Sequence, residues 1–160
     1  MKKIVIAIDS FKGCLTSAEA GEAAAQGVHA ACPERRTIVL PVADGGEGML
    51  DVLLAASNGK RITVRAHDPL MQPCDASYGI SGDGNTAFVE MAAISGLPLV
   101  PADKRNPMKT TTFGTGELIR DALERGCLRF VIGLGGSATN DAGLGMLQAL
   151  GFRFFDKEGH

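Results

Sequence analysis

Apolar and polar positions along the chain switch repeatedly between two periodicities. Residues 3–8, KIVIAI, form an unbroken apolar run rich in β-branched side chains, the pattern of a strand buried on both faces of a parallel sheet. The run stops at DSFKG, residues 9–13. Thr16 and Glu19 have the spacing of a capping box, and alanine-rich residues 18–31 predict a helix that ends before Pro33. Residues 37–41 predict a second short buried strand. The opening is therefore a β-α-β unit with a right-handed crossover, and its ligand-facing edge lies at the carboxyl ends of the strands. VADGGEG, residues 42–48, leaves that edge and feeds a helix predicted over 49–56 that stops near Asn58-Gly59.

From Arg61 the alternation changes. ITVRAH, CDASYGI and TAFVEMA predict three short strands, separated by turns at Asp68-Pro69 and at Gly82-Asp83-Gly84-Asn85, with the second and third paired as a hairpin. A mixed or antiparallel element thus follows the parallel unit. Glu90 ends the third strand and reads either as a buried site carboxylate or as a charge at a helix start. Pro98, Pro101 and Pro107 mark a loop; beyond it Thr112 or Thr115 can cap a helix with Leu118, Ile119, Ala122 and Leu123 on one face and Gly126 as its stop. Residues 130–132 run into Gly133, Gly135 and Gly136, then Ser137, Thr139, Asn140 and Asp141, then the spaced apolar Leu144, Met146, Leu147 and Leu150. This predicts strand, glycine-rich turn and helix, with Thr139 or Asn140 as N-cap. Residues 152–155 read as one more strand.

Composition places the specialisation in the turns. With 160 residues and 45% hydrophobic content the chain can fill one ordinary domain or two small ones. Its 21 glycines exceed the usual share of about 7% and cluster at the junctions between periodic segments. A net charge of −2, from 16 basic and 18 acidic residues mixed along the chain, leaves no electrostatic footprint for nucleic acid or anionic lipid. Cys14, Cys32, Cys74 and Cys127 are far apart, without a C-x-x-C pair or a histidine at ligand spacing, which argues against zinc and redox motifs. Asp9 interrupts the N-terminal apolar run too early for a signal peptide or membrane span, so the expected location is the cytoplasm. His29, His67 and His160 stand far from one another and receive no catalytic role.

Several loops could carry chemistry. In residues 133–137 backbone N–H groups can approach an anion closely, and a following helix start would add roughly half a positive charge. Taken alone, the turn is equally a tight connection using glycine for geometry. Asp44 and Glu47 read either as helix-capping charges or, with Lys12 across the strand edge, as a magnesium and phosphate arrangement. Lys109, Thr110, Thr111 and Thr112 before Gly114 and Gly116 offer hydroxyls, amides and a cation as a second candidate anion site. No P-loop motif occurs. Gly133, Gly135 and Ala138 fit G-x-G-x-x-A, with Asp156 about 20 residues on, which admits a dinucleotide-binding oxidoreductase. Against it stand polar Thr139, Asn140 and Asp141 where such a helix packs on its sheet, and DSFKG, ADGGEG and TTTFGTGE left unexplained. Phosphoryl transfer accounts for all four loops, because it needs backbone donors, a cation, carboxylates for magnesium and a carboxylate near the acceptor hydroxyl.

DSFKGCLTS, PVADGGEG, DPL, EMAAISGL, RNPMKTTTFGTGELI and GLGGSATNDAGLGMLQALG, in this order and spacing, closely resemble the bacterial class I glycerate kinases over essentially the whole chain. The resemblance implies an α/β fold of two lobes, a Rossmann-like lobe with parallel β-α-β units and a flavodoxin-like or mixed-sheet lobe, expected here as residues 1–66 and 67–160. It implies transfer of phosphate from ATP, with Mg2+, to glycerate, with 2-phosphoglycerate as the expected product. The implied partners are glycerate and ATP, without nucleic acid or membrane, and a homodimer is left open. Cys14 replaces a more usual serine and Ala142 a frequent second glycine; neither change removes a charged group. Family members are considerably longer, so an N-terminal portion with incomplete lobes is expected, and a non-catalytic truncated module stands as an alternative.

On residue chemistry, Lys12, Asp44 and Asp141 are the catalytic candidates. Lys12 would neutralise phosphate charge, Asp44 and Glu47 would serve magnesium or substrate hydroxyls, and Asp141 would be the carboxylate near the acceptor hydroxyl. Gly133, Gly135, Gly136 and Ser137 would cradle an anion, with Ser10, Thr112, Gly114, Thr115 and Asn140 as secondary candidates.

Overall fold

Two sheets of different size organise the chain, which a computed structural model describes over residues 3–159. His160 lies outside the described residues. Strands β1 (Lys3–Ile6) and β2 (Arg36–Val39) pair in parallel, from Lys3 opposite Arg36 to Ile6 opposite Val39. Helix α1 (Ser17–Ala31) connects them and starts with the expected capping box: the Glu19 amide donates to Thr16 Oγ1 at 3.2 Å, and the Thr16 amide donates to Glu19 Oε2 at 2.8 Å. Gly21 lets α1 lie directly on Val39, where a Cβ would have no room.

Helix α2 (Met49–Ser57) ends at Asn58 in the left-handed region, φ 48°. Strands β3 (Lys60–His67), β4 (Pro73–Ile80), β5 (Thr86–Glu90) and β6 (Arg129–Gly133) follow in the order β3-β4-β5-β6. The predicted hairpin between the second and third of these is present but short, joining Gly79 to Phe88 and Ile80 to Ala87. The longer antiparallel ladder joins β3 to β4, from Lys60 opposite Ile80 to His67 opposite Pro73. β5 and β6 pair in parallel. Helices α3 (Ala92–Ser95), α4 (Phe113–Glu124) and α5 (Leu144–Ala149) complete the fold. Leu118, Ile119 and Ala122 on α4 close over Tyr78, Val89, Ile94 and Cys127 to form the core. Among the described residues no helix is long and apolar enough to cross a membrane.

The mixed α/β architecture agrees with the sequence, and two local expectations do not survive. β1 is not buried on both faces: Ile6 is buried, but Val5 is 58% exposed, because only two strands pair and only α1 covers them. Residues 152–155 form no strand; Phe152, Phe154 and Phe155 are exposed, and the Phe152 amide instead donates to Leu147 O at the end of α5. An apolar run becomes a strand only where another edge accepts its hydrogen bonds. The motif that would have made Asp156 a ribose partner therefore loses its strand. β3 is hydrogen-bonded into the larger sheet, so the change from one sheet to the other falls before Lys60.

Candidate functional site

The loops leaving β1, β2, β5 and β6 meet at the carboxyl ends of the parallel pairs. A cavity of about 710 Å³ opens there, lined by Ser10, Lys12, Thr16, Glu47, Leu50 and Glu90 among others. The Lys12 loop is closed by reciprocal bonds between Phe11 and Leu15, at 2.9 and 3.0 Å, which leave the lysine exposed at its tip. Ser17 ties this loop to the next: its Oγ donates to Ile8 O at 2.6 Å and accepts from the Val42 amide at 2.9 Å. Sequence reading passed over Ser17, since nothing local signals a bond that spans two strand ends.

The ADGGEG loop has little stiffness of its own. Gly45 and Gly48 take φ values of 91° and 90°, open to glycine and strained for other residues. Asp44 Oδ1 accepts from the Gly46 amide at 3.0 Å. The loop is docked at one end on the glycine turn, where the Gly135 amide donates to Gly45 O at 3.1 Å and a Cβ on Gly133 would have no room against the same carbonyl. At the other end Glu90 Oε2 accepts from the Leu50 amide at 3.1 Å, with the Gly48 amide also favouring its charged form. Helix α2 has Gly48 as N-cap and no side-chain cap of its own, so Glu90 caps it from β5, and the capping alternative read for Asp44 and Glu47 is not realised. Burial pushes the Glu90 carboxyl up from its ordinary range; the two amides oppose this, and the nearby Asp51 and Glu47 charges reinforce it.

Asp141 sits in a second cluster. Its Oδ2 accepts from the Thr112 amide and hydroxyl, both at 2.8 Å, from the Gly145 amide at 3.1 Å and from the Thr111 hydroxyl at 3.3 Å; its Oδ1 accepts from the Gly143 amide at 3.1 Å. Burial works to raise its pKa, but these donors, led by the Thr112 amide and hydroxyl, hold it below the ordinary aspartate value. Thr112 Oγ1 also accepts from the Met146 amide at 2.9 Å. The first amides of α5 thus already have protein partners, and this six-residue helix begins at Leu144, well beyond the glycine turn. The expected helix-dipole contribution to residues 133–137, and the N-cap role of Thr139 or Asn140, are corrected accordingly.

The threonine-rich segment is likewise internal. Thr112 occupies the N-cap position of α4 without capping it, because its hydroxyl is committed to Asp141. Thr115 is fully buried with its hydroxyl 2.8 Å from that of Ser95, and the Thr110 hydroxyl donates to Ala138 O at 2.8 Å. Gly114 faces the His67 carbonyl so closely that a Cβ cannot fit. Gly135, Gly136 and Asn140 are exposed, and Ser137 is half-buried with its hydroxyl 2.8 Å from that of Thr139.

The sequence-predicted residues therefore fall into two groups. Ser10, Lys12 and Glu47 line one cavity, with Asp44 and the 133–137 turn docked beside it. Thr112, Gly114, Thr115 and Asp141 belong to the packing behind that turn. Asp44 and Glu47 are exposed oxygen donors on one loop, and no larger group of ligating side chains is arranged for a metal among the described residues. Such a pair suits Mg2+, which is held by one or two carboxylates together with phosphate oxygens and water.

This is the layout of an α/β protein that gathers exposed backbone amides, a lysine and carboxylates at one strand edge. The chain belongs to the glycerate kinase family, whose sequence profile matches residues 4–160. It is 51% identical over 158 residues to a protein named glycerate 2-kinase from Escherichia coli K12, and 55% identical over 157 residues to a glycerate kinase from Bacillus subtilis 168. These matches cover 99% and 98% of this chain but 42% and 41% of those proteins, so the chain spans well under half of their length. A solved structure carrying the name glycerate kinase 2, from Salmonella typhimurium LT2, superposes with a TM-score of 0.85 at 50% identity, covering 98% of this chain and 42% of that one.

Proposed function

We propose that this chain carries the N-terminal part of a site that transfers the terminal phosphoryl group of ATP to glycerate, with magnesium, giving 2-phosphoglycerate. What supports this above all is the shared rim: Ser10 and Lys12 from one family motif and Glu47 from another line one cavity, with the glycine turn docked on the loop between them. The reaction breaks the bond from the γ-phosphorus to the bridging oxygen and forms one to the glycerate hydroxyl oxygen, which gives up its proton. Magnesium would supply positive charge to offset that of the phosphate oxygens. Asp44 and Glu47 would hold it, Lys12 would offset phosphate charge, and the amides of Gly136 and Ser137 would receive an anionic oxygen. Asp141, with both oxygens engaged and a lowered pKa, fits the fixing of α4 against α5 better than the removal of a proton.

A coupled ADP-release assay with D-glycerate and MgATP, run on this chain and on a full-length product containing it, tests the reading. Turnover that disappears in Lys12→Ala is expected. ADP release from neither protein rejects it; an ATP-dependent thermal shift without ADP release would mark a binding module, and a shift with NADH alone an oxidoreductase.

A further inference from the structure

Glu90 is the only charged side chain that is buried among the described residues, at 7% exposure. It ends β5 directly opposite Gly133 in the parallel register, and the next amide, Met91, donates to Gly133 O at 3.0 Å. From this position its carboxylate reaches the first turn of α2, forty positions away in sequence, and also faces the cavity shared with Lys12 and Glu47. The ADGGEG loop thus has two tertiary anchors: Gly45 O on the Gly135 amide, and, just past its end, the Leu50 amide on Glu90. Between the anchors lie Gly46 and Glu47. A loop with glycine at 45, 46 and 48 has no side-chain packing to hold it, so the anchors decide where Glu47 stands.

We infer that Glu90 is a positioning residue: by accepting the Leu50 amide it fixes the loop bearing Asp44 and Glu47 against the glycine turn, and so sets that loop's affinity for magnesium. This rests on the reading of the rim as a magnesium-assisted phosphoryl-transfer site. The work is done by an acceptor oxygen, which glutamine also supplies and alanine does not.

The test compares the parent, Glu90→Ala and Glu90→Gln in a full-length product. The readouts are amide exchange over residues 42–54, the Mg2+ dependence of ADP release with D-glycerate, and the Mg2+ dependence of the thermal shift with ATP. For Glu90→Ala we expect faster exchange over that segment and a half-saturating Mg2+ concentration raised about tenfold, with a smaller change in KM for glycerate. Glu90→Gln should restore the exchange protection and bring the Mg2+ requirement to within about twofold of the parent. An alanine variant that keeps parental exchange, or one whose rate falls only with its folded fraction while the Mg2+ requirement is unchanged, overturns the inference. So does a glutamine variant as defective as alanine. A parent that shows neither ADP release nor a Mg2+-dependent shift with ATP removes the underlying reading and the inference together.

Discussion

Glu90 and Asp141 each pin a loop to the strand edge, yet their surroundings move their proton affinities in opposite directions. Asp141 accepts five hydrogen bonds from Thr111, Thr112, Gly143 and Gly145 at the starts of α4 and α5, and its pKa is lowered. Glu90 lies deeper, accepts the Leu50 amide and shares its cavity with Glu47, and its pKa is raised. The difference is one of donors against burial: enough N–H and O–H groups replace the lost water around one carboxylate, and too few around the other. The saturated cluster reads as scaffold, and the under-supplied one as part of a cavity wall.

The largest expected effect comes from breaking the saturated side. Asp141→Ala leaves two backbone amides of α5, the Thr112 amide and two threonine hydroxyls short of an acceptor in a half-buried setting, and should destabilise the protein by about 3 kcal/mol or more. Glu90→Ala removes the cap on the Leu50 amide and should lower stability by about 1–2 kcal/mol. Urea unfolding of both variants at neutral pH ranks them; a smaller loss for Asp141→Ala than for Glu90→Ala would reverse the comparison.

The pH dependence sharpens the same contrast. Asp141 contributes stability that is present above its unfolded value, about 3.9, and lost as the pH falls through its lower folded value. Glu90 contributes in the other sense: its stability is complete below the unfolded value, about 4.3, and is lost as the pH rises through the raised folded value. Glu90→Gln should therefore gain on the parent as the pH rises from about 4.3 toward neutrality, whereas Asp141→Asn should be most destabilised near neutrality and converge on the parent in acid. Denaturant midpoints across that range decide, and a Glu90→Gln advantage that shrinks with rising pH would contradict the assignment.

Which features were legible in the sequence follows from the range of the interactions. The capping box at Thr16 and Glu19 is an i, i+3 signal and is found as expected, and Leu118, Ile119 and Ala122 of the expected α4 face are buried while Leu123 is exposed. The glycines at 133 and 135 marked a turn of close backbone approach and Gly45 one of positive φ, both of which leave a trace in residue type. Glu90 and Leu50 are far apart in sequence, as are Asp141 and Thr112, so neither tertiary cap has a local signature. Without them capping stayed open as one reading of Asp44 and Glu47, and Thr112 and Asp141 read as groups facing a ligand. The apolar runs at 3–8 and 152–155 misled for a related reason. Composition records a tendency to be covered, whereas strand pairing depends on what lies alongside.

The smallest expected effect on stability separates rim from scaffold most cleanly. Lys12 is exposed at the tip of a loop closed by backbone bonds between Phe11 and Leu15, and it makes no ion pair among the described residues. Removing its ammonium takes away no packing and leaves no donor or acceptor stranded. Lys12→Ala should thus keep its unfolding free energy within about 0.5 kcal/mol of the parent. An unpaired lysine at a cavity mouth has its charge free for an anionic ligand, so the same substitution should abolish most of the ATP-dependent thermal shift, in contrast to any change in the Asp141 cluster that leaves the protein folded. A large loss of stability in Lys12→Ala with the ATP shift intact would place the lysine in the scaffold and dissolve the distinction between the two regions.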